Sequence, residues 1–211
     1  MNGTPAALTP AQRRWLGTVA LAAALVFLGL GALVHTDFVF SIDRGTQRFV
    51  QAERVPAYDG AMQTITRLGS GWVLLPITAV GCLVVGMRYR RLALSFVLTA
   101  LGAVIIESAM KGLVGRHRPN AYAWGYPSAH VLGVVVFLGM ALYLLWALGV
   151  SRGPRALMGA LAIVVVVGVA VSRLWVNAHW LSDVVGGLAG GTAVVLAVTI
   201  VLDRRTRAPA S

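Results

Sequence analysis

Long runs of apolar residues, separated by short polar stretches rich in arginine, make up most of the chain. Six of these runs approach or exceed the roughly 20 residues with which a helix crosses about 30 Å of hydrocarbon. They are Trp15–Val34, Gly71–Met87, Leu92–Gly115, Ser128–Val150, Ala156–Val176 and Asp183–Leu202. An open-ended segment in lipid satisfies its backbone polar groups only as a helix. The pattern therefore predicts an all-α, polytopic membrane protein, a bundle of six transmembrane helices.

The arginines between these runs predict how the bundle is oriented. Ten of them fall before the first span, between the second and third, between the fourth and fifth, and after the sixth, accompanied by a single acid. Because cytoplasmic loops carry the excess of basic residues, both termini are predicted to be cytoplasmic. The chain then divides into an N-terminal tail 1–14, a membrane domain 15–202 and a C-terminal tail 203–211. Within the domain, segment 35–68 mixes balanced charges with apolar residues, as an interfacial helix on the outer face does.

Glycines recur along the last span, at Gly186, Gly187, Gly190 and Gly191. They form two overlapping GxxxG patterns, in which the absence of side chains lets two helix backbones approach closely. The spacing predicts that this span packs tightly against its neighbours.

The composition narrows the range of partners. Hydrophobic residues make up 58% of the chain and charged residues 12%, against about 25% charged in an average soluble domain. A net charge of +11 would ordinarily raise nucleic acid as a partner, but the basic residues stand in short clusters between apolar runs. We therefore expect membrane lipid, and no nucleic acid, as the partner. The strong preference for arginine over lysine indicates a bacterial source and hence the inner (plasma) membrane.

Charged and polar residues collect where the last four spans meet the outer face. Charge this close to hydrocarbon is costly and marks a candidate functional site. Lys111, the only lysine, ends the third span and is followed by Arg118, while Arg173 ends the fifth span. Arginine forks and a lysine ammonium match the equatorial oxygens of a phosphoryl group. These three residues are therefore predicted to cradle a phosphate.

Two histidines and a carboxylate accompany this predicted cradle. His179 and Asp183 are spaced i, i+4, which places both on one face of a helix. A neutral imidazole is a competent nucleophile toward phosphorus when a carboxylate fixes its tautomer. A second histidine, His130, is placed to protonate the leaving oxygen as general acid. Ser128 can donate its hydroxyl, and free backbone N–H groups at the start of the fourth span would point at an anion.

The same residues form three motifs in a fixed order. The motifs are Lys111…Arg118-Pro119, Pro127-Ser128-Ala129-His130 and Ser172-Arg173…His179…Asp183. Their order and spacing resemble the signature of the type 2 phosphatidic acid phosphatases, also called lipid phosphate phosphatases, from the third span to the sixth. Ala129 departs from the glycine that is usual there. Its backbone N–H still serves phosphate binding, while the added methyl group bears on pocket size and on the local turn.

The resemblance implies a two-step hydrolysis without metal or cofactor, and the placement of the arginines predicts that it occurs at the non-cytoplasmic face. His179 would attack phosphorus to form a phosphohistidine, His130 would protonate the leaving group, and water would then release phosphate. Asp183 would orient His179. The family acts on lipid phosphates or pyrophosphates. A polyprenyl pyrophosphate such as undecaprenyl pyrophosphate is slightly favoured here over phosphatidic acid and phosphatidylglycerol phosphate, because of the inferred bacterial source and the outward site.

Local chemistry points in the same direction as the resemblance. Asp183 is the only carboxylate that the sequence places at the outer rim of the site, which argues against a two-metal hydrolase.

Two further residues could support the site, and the sequence leaves two roles open for each of them. Glu107 either pairs with Lys111 one turn later or is neutral and hydrogen-bonded between helices. Arg116 contacts either a second phosphate or the headgroup region.

A non-enzymatic phospholipid-binding or transport protein with the same basic site is the competing hypothesis. The two histidines and Asp183 count against it, since anion binding alone does not require them, and the chain shows no internal repeat of the kind transporters have. A haloperoxidase-like use of the same cradle with bound vanadate is a third reading, which the six spans disfavour. The sequence leaves the oligomeric state open.

Overall fold

The structure of the protein is a computed structural model that describes residues 7–205. Its helices are α1 Pro10–Leu33, α2 Asp37–Ala52, α3 Asp59–Arg67, α4 Gly71–Gly86, α5 Arg90–Val114, α6 Ala129–Ala147, α7 Arg152–Trp175 and α8 Leu181–Arg205, with a short 3-10 turn at Pro56–Tyr58. No strand occurs within this range, so the predicted all-α class is confirmed. Residues 1–6 and 206–211 of the two predicted tails, with Arg207 of the last basic cluster, lie outside the described residues.

Six helical stretches of the described chain are long and apolar enough to cross a membrane, as predicted. They are α1, the stretch Pro56–Gly86, α5, α6, α7 and Leu181–Asp203 of α8. Large apolar side chains cover their outer surfaces. Leu83, Val164 and Leu113, for example, are each more than 60% exposed. Such a surface is stable only in lipid, so the chain is an integral membrane protein.

The segment between α1 and α4 folds as two helices joined by the 3-10 turn. On α2, Val39, Asp43 and Gln47 are buried at a spacing of four residues, while Phe38 and Phe49 are exposed. This two-sided helix packs against α7 and α8. The candidate second span begins at Pro56, earlier than the predicted Gly71, because α3 is followed by α4 after only three residues.

The predicted glycine packing of the last span is confirmed in α8. A Cβ atom added to Gly187 would come within 2.8 Å of the Ser128 carbonyl oxygen, and one added to Gly191 would come equally close to Val135. Gly186 and Gly190 lie against aromatic rings on the other side of the helix, those of Tyr126 and Phe27. The backbone of α8 therefore lies directly against the backbone of α6 and against the Phe27 side chain of α1, and the start of α6 lies beside the start of α8.

Residues 115–128, between α5 and α6, cross one end of the bundle and are held there by backbone hydrogen bonds. Gly115 ends α5 in the left-handed conformation (φ 62°), which a glycine adopts without strain. The Gly125 N–H donates to the Arg116 carbonyl (2.7 Å), and the Ser128 N–H donates to the Asp183 carbonyl (3.0 Å). The loop is thus fixed to itself and to the first turn of α8.

Candidate active site

The centre of the candidate site is the pair formed by His179 and Asp183. His179 lies between α7 and α8, and Asp183 lies in the first turn of α8; they are 1% and 0% exposed. The His179 Nδ1 atom is 3.3 Å from Asp183 Oδ2, which also accepts the Trp180 backbone N–H at 3.0 Å. An ionised carboxylate can only accept, so Nδ1 carries the proton and Nε2 keeps its lone pair.

Burial keeps the His179 ring neutral. It lowers the pKa of His179 from 6.5 to about 4, although the hydrogen bond and charge of Asp183 oppose the shift. The nearby guanidinium groups of Arg173 and Arg118 lower this pKa further. At neutral pH the imidazole is therefore uncharged, which is the state that a nucleophile needs.

The predicted cradle and the second histidine lie at the same end of the bundle. Lys111 is in the last turn of α5, Arg173 in the last turn of α7, and His130 in the first turn of α6. Four of the predicted residues lie within electrostatic range of the His130 imidazole: Lys111, Arg118, Arg173 and His179. The structure thus brings together residues from three separate motifs.

Two polar atoms beside the cradle are buried and have no hydrogen-bond partner in the described part of the chain. They are the Ser128 hydroxyl oxygen and Nε of Arg173. The other end of the Arg173 guanidinium is fixed, because Nη1 donates to Thr66 Oγ1 at 2.7 Å. Unpartnered buried polar groups are uncommon and call for an explanation. The oxygens of a bound phosphate would accept a hydrogen bond from each.

Backbone conformation in the α5–α6 loop positions Arg118. Its Nε and Nη2 atoms both face the carbonyl oxygen of Trp124 at 3.4 Å. Trp124 has φ 64°, a left-handed conformation that is uncommon for a bulky residue and often found at functional sites. Ala129, the departure from the family pattern, leaves the turn intact, since the Leu132 N–H still donates to the Ser128 carbonyl at 3.0 Å.

Glu107 forms an ion pair with Lys111 one helical turn later, which is one of the two roles left open by the sequence. Both side chains are largely buried. An opposite charge compensates each of them at membrane depth and fixes the direction of the ammonium group.

The position of Arg116 differs from both predicted roles. Its side chain is 4% exposed, and it points inward between two carboxylates rather than toward a headgroup or a second phosphate. Nη1 donates to Asp183 Oδ1 (3.0 Å) and Ser182 Oγ (2.5 Å), and Nη2 donates to Asp43 Oδ2 (2.5 Å). Arg116 and Arg118 stand two residues apart in the same loop, and their spacing alone does not say which of them points into the protein.

Asp43 corrects another expectation, that Asp183 is the only carboxylate at the outer rim. Asp43 comes from α2, is 1% exposed, and shares Arg116 with Asp183. The signal that could have revealed it is an acidic residue on the buried face of α2, in register with Val39 and Gln47. Across residues 7–205, no group of three or more His, Cys, Asp or Glu side chains is arranged to hold a metal ion.

An apolar cavity of about 220 Å³ lies beside the site, between α4, α5 and α6. Side chains including Leu74, Phe96 and Val136 form its walls, and Glu107 and His130 border it. The site therefore combines a basic, polar centre with an adjoining apolar space.

The fold and these motifs define a family. Residues 92–207 match the PAP2 superfamily, and because this match covers more than half of the chain, the protein belongs to that superfamily. The resemblance drawn from the three motifs is confirmed.

Two curated proteins are similar to the chain along most of its length. Phosphatidylglycerophosphatase B of Bacillus subtilis (strain 168) is 27% identical over 177 residues, which cover 79% of this chain and 86% of that protein. An undecaprenyl-diphosphatase of Sulfolobus acidocaldarius is 25% identical over 170 residues, covering 72% of this chain and 75% of the relative. The predicted enzyme class, a hydrolase of lipid phosphates, is confirmed at the level of the family.

Two crystal structures share the fold. The transmembrane PAP2 type phosphatidylglycerolphosphate phosphatase from Bacillus subtilis superposes with a TM-score of 0.81 at 23% identity, covering 90% of this chain and 98% of that chain. LpxE of Aquifex aeolicus superposes with a TM-score of 0.61 at 16% identity, over 74% and 93% of the two chains. At identities this low, the similarity to these two structures shows a shared helical fold.

Proposed function

We propose that the protein hydrolyses a lipid phosphate or pyrophosphate through a phosphohistidine at His179, without a metal ion. The observation that carries this proposal is the buried His179–Asp183 pair, which stands beside a basic cradle containing two unpartnered donors, on Ser128 and Arg173. An anion-binding site alone needs the cradle but has no use for an oriented, neutral imidazole.

In the first step, Nε2 of His179 attacks phosphorus, and the bond from phosphorus to the lipid-side oxygen breaks. Arg173 and the Ser128 hydroxyl donate to the equatorial oxygens, on which negative charge accumulates, and Lys111 and Arg118 add positive charge. The negative charge of the bound phosphate offsets the cations around His130, so we expect His130 to be protonated in the substrate complex. It then gives its proton to the departing oxygen. The His179 ring becomes cationic at this point, and the Asp183 carboxylate stabilises that charge.

In the second step, water attacks the phosphorus of the phosphohistidine. His130, now neutral, accepts the proton of the water, and Nε2 of His179 leaves with its electron pair. Inorganic phosphate is released and the neutral imidazole is restored. The same histidine thus serves as acid and then as base, as microscopic reversibility of the two half-reactions requires.

The apolar cavity between α4, α5 and α6 supports a lipid as the substrate. Its walls suit a hydrocarbon chain, and His130 lies at its border, where the leaving oxygen has to be protonated. The two curated relatives are named for a phosphatidylglycerol phosphate and an undecaprenyl diphosphate. The candidate substrates are therefore phosphatidylglycerol phosphate, phosphatidic acid and a polyprenyl pyrophosphate.

We also propose that the site faces away from the cytoplasm, in a bacterial inner membrane. Arginine clusters at Arg13–Arg14, Arg88–Arg91 and Arg152–Arg155 occupy the end of the bundle opposite the site. The positive-inside rule places that end in the cytoplasm. An impermeant thiol reagent applied to intact cells should label Tyr122→Cys, near the site, and spare Arg152→Cys, both in a Cys82→Ser background. Labelling of Arg152→Cys alone would reverse the assignment.

The hydrolase proposal is tested on purified protein in detergent with excess chelator. Phosphate release from the three candidate lipids is measured for the wild type, for His179→Ala, and for His117→Ala as a matched control on an exposed histidine. We expect the wild type and His117→Ala to be active and His179→Ala to lose at least about 1,000-fold in rate. Full activity in His179→Ala, or wild-type activity that vanishes with chelator and returns with a divalent ion, would overturn the mechanism. Lipid binding without phosphate release would favour a binding or transport protein.

A further inference from the structure

Helix α2 docks on the site by its polar side chains. Gln47 Nε2 donates to Asn177 Oδ1 at 2.5 Å, and Gln51 Nε2 donates to the Trp175 carbonyl at 3.1 Å, so α2 is tied to the segment that leads into His179. Asp43 lies one turn before Gln47 on the same face and is almost completely buried. A carboxylate is stable at such a place only when every oxygen has strong partners.

The partners of Asp43 belong to the site. Its Oδ1 accepts the Ser182 backbone N–H at 2.9 Å, and its Oδ2 accepts the Ser182 hydroxyl at 2.6 Å and Arg116 Nη2 at 2.5 Å. Ser182 immediately precedes Asp183 in the first turn of α8. Asp43 therefore fixes both the turn that carries Asp183 and the arginine that contacts it.

Arg116 connects the two carboxylates through a rigid planar group. Nη2 contacts Asp43 and Nη1 contacts Asp183 Oδ1, which leaves Asp183 Oδ2 for His179. With Arg116 held from one side by Asp43, the Asp183 carboxylate has one oxygen assigned to the arginine and the other to the imidazole. We propose, on the basis of the proposed function, that Asp43 is a positioning residue for the hydrolytic reaction, acting on His179 through Arg116 and Asp183.

Through its negative charge, Asp43 has a second effect on His179. Without Asp43, the positive charge of Arg116 would offset the negative charge of Asp183, which has to stabilise His179 when the ring becomes cationic. Two carboxylates and one guanidinium leave a net charge of −1 in the cluster. Asp43 thus preserves the electrostatic support of the phosphorylated ring. Neither Asp43 nor Arg116 belongs to the phosphate cradle, so the loss of Asp43 should affect the chemical step more than substrate binding.

The test measures kcat, KM and the single-turnover rate of phosphoenzyme formation in Asp43→Asn, which keeps the shape of the side chain and removes its charge. We expect kcat and the phosphorylation rate to fall about 10-fold, with KM within about twofold of wild type. Asp59→Asn is the matched control, since Asp59 belongs to the same outer segment and pairs with the exposed Arg54. It should retain the wild-type kcat. Unchanged kcat in Asp43→Asn, or an effect on KM alone, would overturn the inference.

A double-mutant cycle separates positioning from a general loss of stability. If Asp43 acts through Arg116, the Asp43→Asn/Arg116→Gln variant should be no slower than Arg116→Gln alone, whereas independent effects would multiply. Multiplying effects would contradict the inference. Where Asp43→Asn does not yield folded protein, Ser182→Ala is measured instead. It removes the hydroxyl that bridges Asp43 and Arg116 and should lower kcat about threefold at constant KM; an unchanged kcat would count against the inference.

Failure of this inference can be distinguished from failure of the proposed function. An inactive His179→Ala together with a fully active Asp43→Asn removes only the role of Asp43. A fully active His179→Ala removes the phosphohistidine mechanism, whatever Asp43→Asn shows.

Discussion

Both ends of the helical bundle bury an aspartate of α8 beside an arginine, but only one end surrounds that pair with reactive groups. At the end opposite the site, Asp203 accepts Arg13 Nη2 at 2.7 Å and the Leu8 backbone N–H at 2.8 Å, which ties the start of the chain to the end of α8. At the site end, Asp183 accepts Arg116 and also contacts His179. A buried ion pair in itself is therefore no sign of catalysis; an oriented histidine beside unpartnered phosphate donors is.

The largest difference between the ends should come from replacing each aspartate by asparagine. Asp183→Asn removes the acceptor that keeps the proton on His179 Nδ1 and stabilises the cationic ring. We expect kcat to fall at least about 1,000-fold, comparable to the loss of the aspartate in other histidine-centred sites. Steady-state phosphate release from a lipid phosphate in detergent measures it. A kcat of Asp183→Asn within about twofold of wild type, the result expected for Asp203→Asn, would show that Asp183 is no more functional than Asp203.

A smaller but clear loss of catalytic efficiency is expected for Ser128→Ala. The change removes one of the two buried donors at the site that have no partner within residues 7–205, and it leaves the helix start otherwise unaltered. Because the hydroxyl donates to a phosphoryl oxygen whose charge grows in the transition state, kcat/KM should fall about 100-fold. The control is Ser95→Ala, whose hydroxyl bonds within α5 to the Arg91 carbonyl and should not matter for activity. Equal activities of the two variants would exclude Ser128 from the cradle.

Acid should destabilise the site end through His179. The pKa of His179 is lowered on folding from 6.5 to about 4, so the unfolded chain binds more protons between these pH values. Stability from this residue is complete above pH 6.5 and is lost as the pH falls toward 4, by up to about 3 kcal/mol. Melting temperatures at pH 7 and pH 4.5 should therefore differ less in His179→Ala than in wild type or His117→Ala. An identical pH dependence in all three proteins would contradict the assigned shift.

The smallest effect on activity is expected at the opposite end. Asp203→Asn weakens the contacts to Arg13 and Leu8 and leaves a poorly paired arginine, which should lower the melting temperature by about 2–4 °C. The kcat should stay within about twofold of wild type, because the whole bundle separates Asp203 from the site. A large fall in kcat without loss of stability would mean that the two ends are coupled.

Hydropathy predicted the six spans well, and at the start of the first span it missed the boundary because of a local polar interaction. Helix α1 begins at Pro10, five residues before the predicted Trp15. Thr9 and Gln12 form a capping box there, with Pro10 in the first helical position, so the helix extends into a polar turn that an apolar run does not include. The last apolar span was predicted more fully, since its glycine spacing also predicted the close packing of α8 against α6.

The spacing of the motifs predicted most of the site residues, because each motif holds its functional residues at short, fixed intervals. It missed residues that act from other helices. Thr66 holds Arg173 across 107 positions of the chain, and Asp43 holds Ser182 across 139. Arg116 turns inward from a loop that contains the left-handed residues Gly115 and Trp124, and such loop conformations follow from tertiary contacts as much as from the local sequence.

The central claim, that His179 carries the phosphoryl group, is tested most directly by trapping the intermediate. Wild-type protein in excess chelator is mixed with a lipid phosphate labelled in its phosphoryl group and quenched in base, where phosphohistidine survives. The peptide that contains His179 is then analysed by mass spectrometry. The account predicts a phosphoryl group on His179 that appears and disappears at the rate of turnover. Steady phosphate release with no phosphoryl group on His179 at any time would contradict it.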